Sequence, residues 1–473
     1  MKKSLLTLII MCFMAFSIVF AGCSPKGLTD NPATDATVIS NGGMTVVKGN
    51  YLYFVNGYID ETTLTKDDNK YGNVYNSAIY RTKLVDGKIV KDEDGFLETD
   101  PEVVVPKIAG FSNGGFYIID DYLYYTTPYM NLDRDGTLQN DRVEFHRINI
   151  NGTDDKVIYT TSANEDNLDW TLYKVGETVY LTTFVSKTLI IVNSETKEVV
   201  SEIADVTSYA FLKEDLYKTG MTKDNELENY VYYTRAITAE DNLTVDFAGN
   251  MMCRVNIATG DINKVNVSES KQYSYTIKYV NADQIYYTKK DTKIGGLDLL
   301  YTKKLSKSWT SATEEKVTNI AYTSYFFCDF GDNLVIATSS NGTFVVESGV
   351  SKQVSASQKT ILAVDKGYAY YADSNKLNRF AIRGAVKNGE ISTEEVTDSK
   401  KTHIITNSNY IDFDSTRIYV YCDYTSADTS INTYLNYIDS ELTERFVGKF
   451  EDAHLPEEPE QDEDSEEHIP HID

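Results

Sequence analysis

Histidine is scarce in this chain. Five are present in 473 residues, and three of them (His454, His468 and His471) fall in the last stretch. His146 and His403 remain, each inside a strand-like apolar run, which reads as a partly buried strand histidine rather than a general base. Tryptophan is scarcer still, at two, and proline stands at eight. No Walker loop, nucleophile elbow, HExxH or CxxC pair occurs, which removes the common phosphate, acyl-transfer, zinc-protease and thiol-redox chemistries. Carboxylate-only chemistry is not removed, because its pair need not be adjacent in sequence.

Cysteine is sparse and odd in number. Cys12 and Cys23 lie near the start; Cys253, Cys328 and Cys422 are widely spaced, each in or beside an apolar run. This is no disulfide framework, and buried inert thiols are expected, with a single bridge left open. Positive charge is also short. The formal charge is −26, with no basic stripe to meet phosphate, so nucleic acid is not an expected partner. Part of that charge sits in residues 451–473, which carry no Lys or Arg and read as a disordered acidic tail.

What is present begins at the first residues. Lys2 and Lys3 precede an almost wholly apolar run from Leu5 to Phe20, and Ala21-Gly22 lead into Cys23. A basic start, an apolar core and small residues before a cleavage point are a secretory signal, 1–22, and an uncleaved anchor is its alternative. Phe20-Ala21-Gly22-Cys23 resembles the bacterial lipobox. That resemblance implies lipid modification at Cys23, with membrane lipid as its partner and the protein held on the extracytoplasmic side of the cell envelope. Two acyl chains would hold stably where one holds marginally. Polar residues with two prolines follow, so 23–37 reads as the lipidated Cys and a flexible tether.

The whole chain is 41% apolar and rich in tyrosine, at 36 residues, and the body is read as 38–450. A short aromatic strand recurs about every 50 residues: Tyr51-Leu52-Tyr53-Phe54, Tyr122-Leu123-Tyr124-Tyr125, Val179-Tyr180-Leu181, Tyr230-Val231-Tyr232-Tyr233, Ile285-Tyr286-Tyr287, Leu334-Val335-Ile336, Ala369-Tyr370-Tyr371 and Ile418-Tyr419-Val420-Tyr421. A strand and a Gly, Asp or Asn turn precede each, and further strands follow. Four antiparallel strands per unit, repeated, predict an all-β propeller of four-stranded blades: eight by this count, seven as the alternative. A β-solenoid or stacked sandwiches remain open.

Tyr124-Tyr125-Thr126 followed by Phe145-His146-Arg147-Ile148-Asn149-Ile150-Asn151-Gly152-Thr153-Asp154 resembles the bacterial YWTD-like propeller domain, similar to the propellers of low-density-lipoprotein receptors. The resemblance implies the fold and a binding role, and it carries no catalytic residue. One loop suits a hard cation. Asn131, Asp133, Asp135 and Asp141 place oxygen ligands around Gly136, a candidate Ca²⁺ site; a polar hairpin loop is the competing reading. The expected function is a binding or scaffold propeller for a protein or glycan, with an envelope carbohydrate hydrolase or lyase as the alternative.

Overall fold

The computed structural model describes residues 27–56, 77–89, 101–110, 115–129, 142–161, 168–212, 229–238, 241, 249–265, 271–281, 283–305, 313–328, 334–373, 376–396, 403–404, 411–414, 416–425, 431–438 and 444–446. Among them, secondary structure is almost entirely antiparallel strand. No helix among the described residues is long and apolar enough to cross a membrane.

The chain is an all-β propeller of four-stranded antiparallel blades. Consecutive strands pair, as in Phe116–Ile119, Tyr122–Pro128, Val143–Asn149 and Lys156–Thr160. The first strand of each sheet lies inward. Val206–Ala210 of the fourth sheet touches Tyr273–Val280 of the fifth, Thr45–Lys48 touches Phe116–Ile119, and Ile361–Asp365 touches Ile411–Phe413. Because the strands alternate in direction, first-to-second and third-to-fourth turns share one face of the ring, here the near face. Second-to-third turns lie on the far face.

Among the described residues seven sheets follow this plan with one inner strand each, and the first adds Val38–Ile39 at its inner edge. The sheet that closes the chain departs from it. Two short strands, His403–Ile404 and Ile411–Phe413, both pair with Ile418–Thr425. Eight equivalent blades are therefore not formed. The alternative count of seven describes the regular blades, and the recurrence at Ile418–Tyr421 belongs to this irregular sheet on the seam. The aromatic repeat cannot distinguish the two, because it marks only second strands.

Burial explains why those strands stand out in sequence. Tyr51–Val55 is buried along its whole length, because both of its faces meet neighbouring sheets. Outermost strands such as Thr393–Glu395 are exposed and read as polar turns. The buried tyrosines are held by arginines on the adjoining third strand. Tyr53, Tyr124, Tyr232 and Tyr370 stand directly opposite Arg81, Arg147, Arg254 and Arg379. Each guanidinium also lies over the tyrosine two residues earlier, at 4.8 Å from the ring centre of Tyr51, 4.5 Å from Tyr122, 4.2 Å from Tyr230 and 4.1 Å from Tyr368. Burial pushes the phenols of Tyr53, Tyr124 and Tyr232 up to about 12 against the pull of the facing arginines. Asn149, Asn193 and Asn256 end third strands and fold their side chains onto the following backbone N–H groups, which sets the near-face turns.

The stretch read as a tether is laid against the propeller in its described part, 27–37. Arg81 is fully buried and donates to Asn31 Oδ1 at 2.5 Å, to the Thr29 carbonyl at 2.8 Å and to Glu102 at 2.7 Å. Lys48, also fully buried, donates to the carbonyls of Thr34 and Asp120 at 2.8 and 2.9 Å. Leu28 N donates to Asn151 O at 2.8 Å. Polar composition suggested a free coil, but it is what lets this segment satisfy two buried cations.

Candidate ligand cleft on the inner strands

An open cleft of about 420 Å³ runs along the inner strands of the third, fourth and fifth sheets. Asp169 and Phe184 pair at the far-face end of the third sheet, and Thr207, Ser208, Tyr209 and Phe211 come from the fourth. Lys278 and Tyr279 close it at a bulge in the fifth, where the register shifts between Ile277 and Tyr279. Phe184 stacks on Tyr209 at 4.2 Å, and Tyr209 meets Phe211 at 5.0 Å. Tyr279 stacks on Phe327 at 4.9 Å, nearly parallel at 6°. The Tyr209 hydroxyl donates to Asp169 Oδ2 at 3.0 Å, and burial followed by that carboxylate's charge pushes the phenol well above its ordinary range. The cleft thus joins flat apolar faces to a carboxylate, two small hydroxyls and an exposed ammonium. Such a surface can stack on a ring and hydrogen-bond its substituents.

None of these residues was singled out from sequence. Inner strands are only half-buried here, so Thr207 to Phe211 and Lys278-Tyr279 carry no motif. Their juxtaposition depends on three sheets meeting around one axis, which no local pattern records.

His146 lies in the third strand of the second sheet and is 3% exposed. Nδ1 is 2.9 Å from Asp155 Oδ1 and Nε2 is 3.3 Å from Glu144 Oε2. Tyr125 donates to Asp155 at 3.0 Å, and Lys107 is 2.7 Å from the other oxygen. Burial pulls the imidazole pKa down, and the two carboxylates overcome this and hold it above its ordinary 6.5. Asp155 is raised by burial and lowered further by His146 and Lys107, to about 2. The ion pair therefore adds stability that is full below about pH 6.5 and lost as the pH rises through the raised histidine value. On the acid side it is lost as the pH falls from 3.8 toward about 2. Melting temperatures measured from pH 5 to 9 should decline on the alkaline side, and His146→Phe should flatten that decline. An unchanged profile in the variant would remove His146 as its source. This is the structural role expected of a blade histidine.

Cys253 is fully buried, and burial raises its thiol to about 11, so it is inert as expected. The Cys328 thiol donates to the Leu334 carbonyl at 3.7 Å. The lipidation residue Cys23 and the cation-loop residues Asn131, Asp133, Asp135 and Asp141 lie outside the described residues, as do His454, His468, His471 and the side chains of His403 and Cys422. Among the described residues no cluster of three or more His, Cys, Asp or Glu is arranged to hold a metal ion.

No family model matches the chain, and no curated protein matches it. Solved structures do overlap with it. Prolyl oligopeptidase B from Galerina marginata is 10% identical with a TM-score of 0.40, covering 71% of this chain and 50% of its own. A puromycin-hydrolyzing peptidase of Mycobacterium tuberculosis is 9% identical with a TM-score of 0.35, covering 92% and 56%. Kluyveromyces lactis Hsv2 is 11% identical with a TM-score of 0.33, covering 69% and 96%. The chain spans about half the length of the two peptidases. At this distance the overlaps bear on neither ligand nor activity.

Proposed function

We propose that this protein is an extracytoplasmic lipoprotein, anchored through Cys23, whose propeller binds a glycan in the cleft between its third and fifth sheets. The observation that carries the binding role is that cleft, where aromatic faces, Asp169, Thr207, Ser208 and Lys278 converge on an open cavity. The anchor is supported by the basic start, apolar run and Phe20-Ala21-Gly22-Cys23 alone. A glycan is favoured over an apolar ligand because the lining alternates ring faces with hydrogen-bonding groups. A protein segment is the second outcome that a binding screen would reveal.

The test is a glycan array followed by calorimetry on the full-length protein in nanodiscs. A sugar–aromatic stack is worth roughly 1–1.5 kcal/mol, so Tyr279→Ala should weaken binding about tenfold. Asp169→Asn should weaken it less and keep the fold. Retention of a glycan indifferent to both variants would move the site elsewhere, and no retention of any glycan would end this reading. The alternative, a carbohydrate hydrolase or lyase, requires a second carboxylate roughly 5–10 Å from Asp169. Turnover of a polysaccharide that Asp169→Asn abolishes would decide for it.

A further inference from the structure

We infer that the propeller is held on a short leash with its near face toward the lipid. This rests on the proposed anchor at Cys23 and goes beyond it, because a lipid alone fixes no orientation.

The observation is where the chain docks. Residues 27–37 cross the turns of the first two sheets on one face of the ring. Leu28 N meets Asn151 O in the third-to-fourth turn of the second sheet. Thr34 Oγ1 donates to Asp121 at 2.8 Å in the first-to-second turn of the same sheet. Gly49, in the first-to-second turn of the first sheet, donates to Thr37 O at 3.0 Å, and a Cβ there would lie 3.2 Å from Ala36. All three turns belong to the near face. The buried Arg81 and Lys48 fix the segment to it. Only four peptide steps separate Cys23 from Gly27, at most about 14 Å of chain. A coil of the full 23–37 would have let the ring turn freely; this span does not.

One end of the cleft lies on the far face. Asp169 pairs with Phe184 beside the Ser186–Lys187 turn, which joins second and third strands and so lies on the far face. Thr207 begins its strand at that same end, beside Val206, which pairs with Arg235. Lys278 and Tyr279 lie at the cleft's near-face end, just before the turn to Gln284, so this orientation leaves the Asp169 end as the one directed away from the lipid. A rival arrangement is visible as well. Ile294 and Leu297, 77% and 65% exposed, sit in the second-to-third turn of the fifth sheet and would be the residues to enter lipid if the ring were inverted.

Energy transfer to a headgroup-labelled lipid distinguishes the two. A dye is coupled to p-azidophenylalanine placed at Glu177, in a near-face turn, or at Ile294, in a far-face turn, of the full-length lipidated protein in vesicles. Transfer should be severalfold stronger from position 177. A 20-residue Gly/Ser insertion between Lys26 and Gly27 should make the two nearly equal. Equal or reversed transfer without the insertion, in protein that still floats with the vesicles, would overturn the orientation and leave the anchor standing. Protein that fails to float, whether Cys23 is intact or replaced in Cys23→Ala, would overturn the anchor itself.

Discussion

Replacing Asp412 with alanine should open the ring at its seam and lower the unfolding free energy by about 2–5 kcal/mol. Asp412 lies on the last inner strand, Ile411–Phe413, and its Oδ2 accepts the backbone N–H groups of Met44 and Thr45 at 2.9 Å each. Those donors start the first inner strand, so one carboxylate joins residues 368 and 367 apart in sequence. Truncation would leave two buried N–H groups without an acceptor, each worth about 1–3 kcal/mol. Gly43 is what gives the carboxylate its room, since a Cβ added there would fall 1.9 Å from Asp412 Oδ1. Tyr421, whose hydroxyl donates to Val55 O at 2.7 Å, would be left to hold the seam together with Ser40, which donates to the Phe413 carbonyl, and Arg417, which donates to the Gly87 carbonyl. Urea unfolding with cleavage in the Met44–Val55 region as a second probe measures the loss. A change within about 0.5 kcal/mol would mean that the seam is closed by packing instead.

The same residue gives an unusual pH dependence. Full burial raises Asp412 to about 7, and the two N–H donors offset this only in part. The native state therefore holds the proton more tightly than the unfolded chain, whose value is near 3.8. Its contribution is greatest below about pH 4, declines as the pH rises toward about 7 and is constant above that, the whole fall being on the order of 4 kcal/mol at most. Asp412→Asn keeps an acceptor and removes the titration, so it should flatten stability between pH 4 and 7. A slope that persists in the variant would assign it to another group.

Much of the fold was legible because second strands are buried on both faces. Tyr122-Leu123-Tyr124-Tyr125 and its counterparts must be continuously apolar or aromatic, and that recurs visibly. The turns were legible for a different reason. Asp120, Gly152, Gly260 and Gly367 adopt positive φ, which Asp and Gly tolerate best, so turn chemistry marks them. The irregular seam was not legible. Ile411-Asp412-Phe413 carries its carboxylate on a strand whose partner lies at the other end of the chain, and a buried Asp there has no local signature. The cleft escaped for a related reason, since Asp169, Tyr209 and Lys278 are ordinary residues until three sheets bring them together. Polar composition does not by itself separate the two states of residues 27–37, because a docked polar segment and a free one share it.

That docked segment gives the second large expected effect. Arg81→Ala should cost about 2–4 kcal/mol and make residues 27–37 a site of rapid proteolysis in otherwise native protein. The guanidinium has no exposed side-chain surface, and it joins Glu102, Asn31 and Thr29 while lying over Tyr51. Losing it leaves two acceptors on the segment without their donor and one carboxylate without its partner. Glu102 is 41% exposed and can turn to water, which keeps the loss below that of a fully buried pair. Arg81→Lys should recover only part of it, because one ammonium cannot span acceptors that a planar fork reaches together. The neighbouring Lys83–Asp30 pair, at 2.6 Å but 39% and 69% exposed, supplies the contrast. Lys83→Ala should leave both melting and proteolysis unchanged, because solvent screens a pair so exposed. If Lys83→Ala released the segment as readily as Arg81→Ala, surface charge and not the buried fork would be what holds it.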